Sequence, residues 1–131
     1  MALHFTRDAY EMVQFTLRST GEVVQVQSRF IAWMAKLVQV GEKHAISVTD
    51  ALKAMGVENS GKHQRQWRHA ADFWQEADVL VSATTKGYFI PGDETERSRC
   101  VGFKQVTIDA LERRKHRLEQ IPLGKFFPEI E

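Results

Sequence analysis

Between Asn59 and His69 the chain carries Lys62, Arg65 and Arg68, the histidines His63 and His69, the amides Gln64 and Gln66, and no acid. The next stretch, Ala70 to Asp78, carries Asp72, Glu76 and Asp78 and no base. Cations and amides at such spacing on a helix can pair with phosphate oxygens and with the edges of nucleic-acid bases. Helices ordinarily hold acids near the amino terminus and bases near the carboxy terminus, because the macrodipole favours that order. The reversed order costs electrostatic energy that an anionic ligand would offset. Two readings fit: a recognition surface of Lys62, Arg65, Gln66, Arg68 and His69, or the mixed charges of a solvated face. Lys86, between Thr84-Thr85 and Gly87, is either a further phosphate contact or an ordinary exposed turn residue.

Other chemistries find weaker material. Gly56-Val57-Glu58-Asn59-Ser60-Gly61-Lys62 matches the opening of a phosphate-binding P-loop, but His63 stands where a Ser or Thr should hold magnesium. A helix rather than a strand precedes it, so the two glycines are expected to end one helix and start the next. The histidines lack metal-ligand spacing, and the single cysteine, Cys100, can neither close an internal disulfide nor anchor a thiolate site alone. With no G-x-S-x-G or comparable nucleophile signature, no catalytic residue, metal site or cofactor is expected. Trp33, Trp67 and Trp74 fall on helical stripes that suit a core, while Phe73 flanks the polar face as an exposed contact or beneath the hairpin that carries Lys86.

The elements that must position these residues follow from periodicity. Val13, Phe15 and Leu17 alternate with polar residues, as do Val24 and Val26 beyond Ser19-Thr20-Gly21. This favours a β-hairpin over the competing helix from Arg7 to Leu17. From Ser28 the period changes: Phe30, Trp33, Met34, Leu37 and Val38 define a helix with Ser28 as its cap and Gly41 just past its last apolar position. Ser47 opens a short helix whose face is Val48, Ala51, Leu52 and Met55, closed by Gly56. Asn59-Ser60-Gly61 opens a third, with Ala70, Ala71, Trp74 and Ala77 on the side of Trp67 and Lys62, Arg65, His69, Asp72 and Glu76 opposite. Val79 to Ala83 and Tyr88 to Ile90 predict two strands joined by a glycine-tipped turn and ended by Pro91-Gly92. A long charged helix is expected from about Glu94 to Gln120, stopped by Pro122, with Phe126 and Phe127 docking on something apolar.

Helix, short helix, charged helix and glycine-tipped hairpin, over Ser28 to Gly92, resemble the winged helix-turn-helix family, and more loosely the small winged-helix proteins of phages and prophages. The matching segments are Val48 to Gly56 as second helix, Gln64 to Trp74 as third, and Lys86-Gly87-Tyr88-Phe89-Ile90-Pro91 as wing. The loop from Val57 to Gly61 is longer than a minimal helix-turn-helix turn. The resemblance implies an α+β fold in three parts: an N-terminal hairpin or helix over 1–27, a winged-helix domain over 28–92, and a C-terminal helix and tail over 93–131. It also implies a DNA-binding protein, a small transcriptional regulator of phage or mobile-element type. The third helix would enter the major groove of double-stranded DNA and the wing would meet the backbone.

The 131 residues suit one compact domain, and 43% apolar residues suffice for a core. Lys and Arg number 18 against 17 acids, a net charge of +1 that excludes a generally basic, histone-like protein. That balance, with the apolar tail, keeps open a second reading: a protein-interaction module, an adaptor or inhibitor of a host assembly. Arg113, Arg114, Lys115 and Arg117 either track DNA backbone or form the outer side of a helix that pairs with its twin through Leu111 and Leu118, giving a homodimer. No apolar run spans a bilayer and the amino terminus lacks a signal-peptide pattern, so no membrane partner and a cytoplasmic location are expected.

Overall fold

A computed structural model describes residues 7–101, 119–121 and 127–128. The fold is mixed α+β. Its first element is the hairpin of β1 (Met12–Thr16) and β2 (Val23–Gln27), antiparallel with Val13 opposite Val26 and Phe15 opposite Val24. Alternation turns Val24 and Val26 into the core with Val13 and Phe15 half-buried beside them, whereas Gln14 and Gln25 face outward and share a hydrogen bond of 3.1 Å. The hairpin expectation thus holds over the helical alternative.

Helix α1 (Ser28–Leu37) departs from the sequence expectation at both ends. Ser28 is the first helical residue and does not cap the helix. The first two helical N–H groups bond instead to backbone, Ser28 to the Glu11 carbonyl and Arg29 to that of Ala9, so no side-chain cap is required. At the other end Val38 is already extended. The chain leaves the helix before Gly41 because Gln39 and Gly41 exchange backbone hydrogen bonds with Ile90. A single 3₁₀ turn, Glu42–His44, follows.

Helix α2 (Val48–Met55) begins where Ser47 Oγ accepts from the Asp50 N–H at 3.1 Å and ends at Gly56 in the left-handed region. Helix α3 (Gly61–Glu76) is capped in the same manner, Ser60 Oγ accepting from the His63 N–H at 3.3 Å. Its buried side is Trp67, Ala70, Ala71, Trp74 and Gln75, while Ala77, expected on that side, is exposed at the helix end. The alanines bring α3 close to α1, and the Trp74 indole N–H crosses to the Ile31 carbonyl at 3.0 Å.

Beyond α3 the buried run Val79–Val81 is irregular and not a strand, in contrast to the expectation from its β-rich composition: the Val81 N–H turns back to the Val79 carbonyl. Its backbone is otherwise engaged: Val79 N–H closes α3 on the Trp74 carbonyl, and the Val81 carbonyl accepts from the Gln75 amide. The second hairpin is β3 (Ser82–Thr84) with β4 (Gly87–Phe89). Ile46 pairs antiparallel with Tyr88 in a single bridge from the segment before α2. Gly87 is obligatory there. Its φ is 119°, and a Cβ would lie 2.5 Å from the Ile46 carbonyl oxygen.

Helix α4 (Glu94–Val101) starts with Asp93 Oδ1 accepting from the Glu96 N–H at 2.8 Å, and Cys100 on it is buried. The buried Arg97 donates to the carbonyls of Glu119, at 2.9 Å, and Ile121. Residues 102–118 lie outside the described residues, and with them Leu111, Leu118 and the Arg113–Arg117 cluster on which homodimerisation was expected. Phe126 does as well, but Phe127 docks edge-on against Trp74 with ring centroids 4.8 Å apart.

Candidate nucleic-acid interface

Helix α3 lies between the two hairpins. On one flank Gln66 Oε1 accepts from the Gln27 N–H at 2.8 Å and Phe73 meets Phe15 edge-on at 5.6 Å. Phe73 is therefore met by the N-terminal hairpin, a contact that neither expected placement named. On the other flank Tyr88 of β4 stands edge-on to Trp67 at 6.0 Å. The side of α3 that remains open is the one opposite Trp67 and Ala70.

Lys62, Arg65 and Arg68 are exposed on α3, as is Lys86 at the tip of the second hairpin, and none of these side chains forms an ion pair or hydrogen bond among the described residues. Gln66 and His69 are half-buried. Gln66 spends its carbonyl on the β2–α1 junction, and His69 Nδ1 is enclosed with no partner among the described residues. Tyr88 ties β4 both to Trp67 in mid-α3 and to Ile46 just before α2, so Lys86 belongs to a hairpin anchored on both helices. Thr84 Oγ1 receives the Lys86 N–H at 3.3 Å and donates to Glu42 Oε2 at 2.7 Å, which fixes the turn.

The acids of the second half of α3 are used internally. Arg18, in the turn of the first hairpin, approaches Glu76 Oε2 with its Nε at 2.7 Å and stands 3.7 Å from Asp78. The hydrogen bond that Arg18 donates to Glu76 raises the pKa of its guanidinium above the ordinary value. Asp72 lines a small recess with Ser82, Tyr88 and Cys100. The result is a helix with no acid in its first turn, exposed cations along its first half and acids compensated at its end. Macrodipole and side chains therefore add to a positive potential over the amino-terminal half.

Sequence reasoning missed Arg18, since nothing local distinguishes it from any other turn residue. It also treated Asn59 only as part of a helix start. Asn59 Nδ2 donates to Thr49 Oγ1 at 3.3 Å and its Oδ1 accepts from Gln64 Nε2 at 2.7 Å, linking the first turns of α2 and α3. Gly56 closes α2 and Gly61 starts α3, so the P-loop-like stretch is a helix–loop–helix junction. Among the described residues no group of three or more His, Cys, Asp or Glu side chains gathers to hold a metal, and no helix is long and apolar enough to cross a membrane. No family model, curated protein or solved structure matches the chain.

Proposed function

We propose that this protein binds double-stranded DNA as a winged helix-turn-helix module and acts as a small cytoplasmic transcriptional regulator of phage or mobile-element type. Helix α3 serves as the recognition helix and the β3–β4 hairpin as the wing. The observation that carries this reading is the exposed set Lys62, Arg65 and Arg68, none of them ion-paired among the described residues, on a helix whose terminal acid Glu76 is occupied by Arg18. Cations left without an internal partner at a helix amino terminus suit phosphate and base edges. The pairing of Ile46 with Tyr88 adds support, because it joins the hairpin to the segment entering α2, as a wing requires. The test is fluorescence anisotropy with duplex DNA over a salt series. Binding should weaken as a power of salt concentration, and failure to bind any duplex at low salt ends the proposal.

A protein partner is favoured by one observation of its own. Tyr10, Met12 and Val23 on and beside the first hairpin are 67%, 45% and 56% exposed. Met12 and Val23 stand at the two ends of the hairpin's outer face, and exposed apolar side chains of this kind can serve as protein contacts. Capture of a partner from a bacterial lysate, insensitive to nuclease, would support that second reading.

A further inference from the structure

We infer that Gln64 is the residue through which the proposed DNA surface selects an adenine, held for that task by a hydrogen-bonded chain anchored on α2. The inference rests on the DNA-binding reading above. Gln64 is exposed in the first turn of α3. A free surface glutamine samples many rotamers, and ordering such a side chain on binding costs conformational entropy. Here that freedom is already restricted. Gln64 Nε2 donates to Asn59 Oδ1 at 2.7 Å, and Asn59 is held in turn by Thr49 Oγ1 at 3.3 Å.

The chemistry left over is specific. A primary amide has two N–H donors and a carbonyl acceptor. One N–H of Gln64 is spent on Asn59; when this is the N–H anti to Oε1, the syn N–H and Oε1 remain side by side as a donor–acceptor fork. That fork complements N7 and the N6 amino group of adenine in the major groove. Its neighbours cannot do the same. Gln66 has given its carbonyl to Gln27, and the His63 ring bonds the Glu58 carbonyl through Nδ1 at 2.7 Å while stacking on Phe30. Arg68 lies one turn beyond Gln64 on the same ridge, where a guanidinium suits guanine or phosphate.

The experiment selects duplexes from a random-sequence pool with the full chain, in wild-type form and as Gln64→Ala, Gln64→Glu and Asn59→Ala. Each protein is then titrated against the wild-type consensus and a scrambled duplex of equal length. The wild-type consensus should contain an A·T pair whose preference vanishes in Gln64→Ala. Affinity for the consensus should drop about tenfold, the scale of one bidentate base contact, with affinity for the scrambled duplex unchanged. Gln64→Glu, an acceptor only, should move the preference at that position towards cytosine, and it carries the test if the alanine variant folds poorly. Asn59→Ala should weaken the preference although Gln64 is still present. An unaltered consensus in Gln64→Ala and Gln64→Glu overturns the inference and leaves DNA binding standing. A wild-type protein that binds no duplex removes both.

Discussion

Arg18 closes the carboxy-terminal end of α3 from a hairpin 58 residues away in sequence: its Nε meets Glu76 Oε2 at 2.7 Å, its backbone N–H meets Oε1 at 3.2 Å, and its Nη2 meets the Glu76 carbonyl at 2.7 Å. A helix end presents unpaired carbonyls and negative potential, and α3 has no base of its own in its last turn. The first hairpin supplies that base. The cations of the first half of α3 lie at least eight residues from Glu76 and form no ion pair among the described residues.

Arg18→Ala should therefore destabilise the protein by about 0.5–1 kcal/mol, a modest figure because the Arg18 side chain is 58% exposed and solvent screens the pair. Urea unfolding at low and high salt checks this. The gap between wild type and variant should shrink as salt rises, and a gap that persists unchanged would assign the effect to packing instead.

Lys62→Ala, Arg65→Ala and Arg68→Ala should each weaken duplex binding and make it less salt-sensitive, by roughly one unit of the log–log slope for each phosphate that is no longer neutralised. Their unfolding free energies should stay within about 0.5 kcal/mol of wild type, since these side chains are exposed and unpaired among the described residues. Paired anisotropy and urea titrations separate the two effects.

Gln66→Ala should show the opposite balance. It strips the Gln27 N–H of its 2.8 Å acceptor at a partly buried site, which costs about 1–2 kcal/mol of stability. Affinity for DNA, measured on the folded fraction, should fall less than in Arg65→Ala. A large affinity loss at unchanged stability would return Gln66 to the contact surface.

Gly56 and Gly87 should respond differently to alanine. Both have positive φ, but a Cβ at Gly56 meets open space while one at Gly87 strikes the Ile46 carbonyl. Gly56→Ala should cost about 1 kcal/mol. Gly87→Ala should cost more, about 2–3 kcal/mol, and should weaken DNA binding by displacing the Lys86 turn. Equal losses in thermal melts would contradict the close approach of β4 to Ile46.

Much of the fold was legible because local patterns repeat the demands of the elements. Alternation in Val13–Leu17 and Val24–Val26 specified the hairpin, Ser47, Gly56 and Ser60 marked helix ends, and the Trp67–Ala70–Ala71–Trp74 stripe marked the buried side of α3. Ser28 and the Val79–Val81 run misled for a shared reason. Their backbone groups are satisfied by partners that a local pattern does not reveal, Glu11 for Ser28 and Gln75 for Val81.

The candidate site divides along the same line. Its charge layout is a property of composition along one helix, so Lys62, Arg65, Arg68 and Lys86 could be named without coordinates. Which of the polar residues remain available depends on contacts between distant segments. Tertiary structure withdrew the Gln66 carbonyl to the β2–α1 junction, assigned Glu76 to Arg18 and aligned Thr49, Asn59 and Gln64 in one chain. Periodicity records which side of an element meets the core, because apolar burial acts on each segment's own pattern. A directional hydrogen bond instead depends on where two remote backbones come to rest, and that is settled only when the whole chain packs.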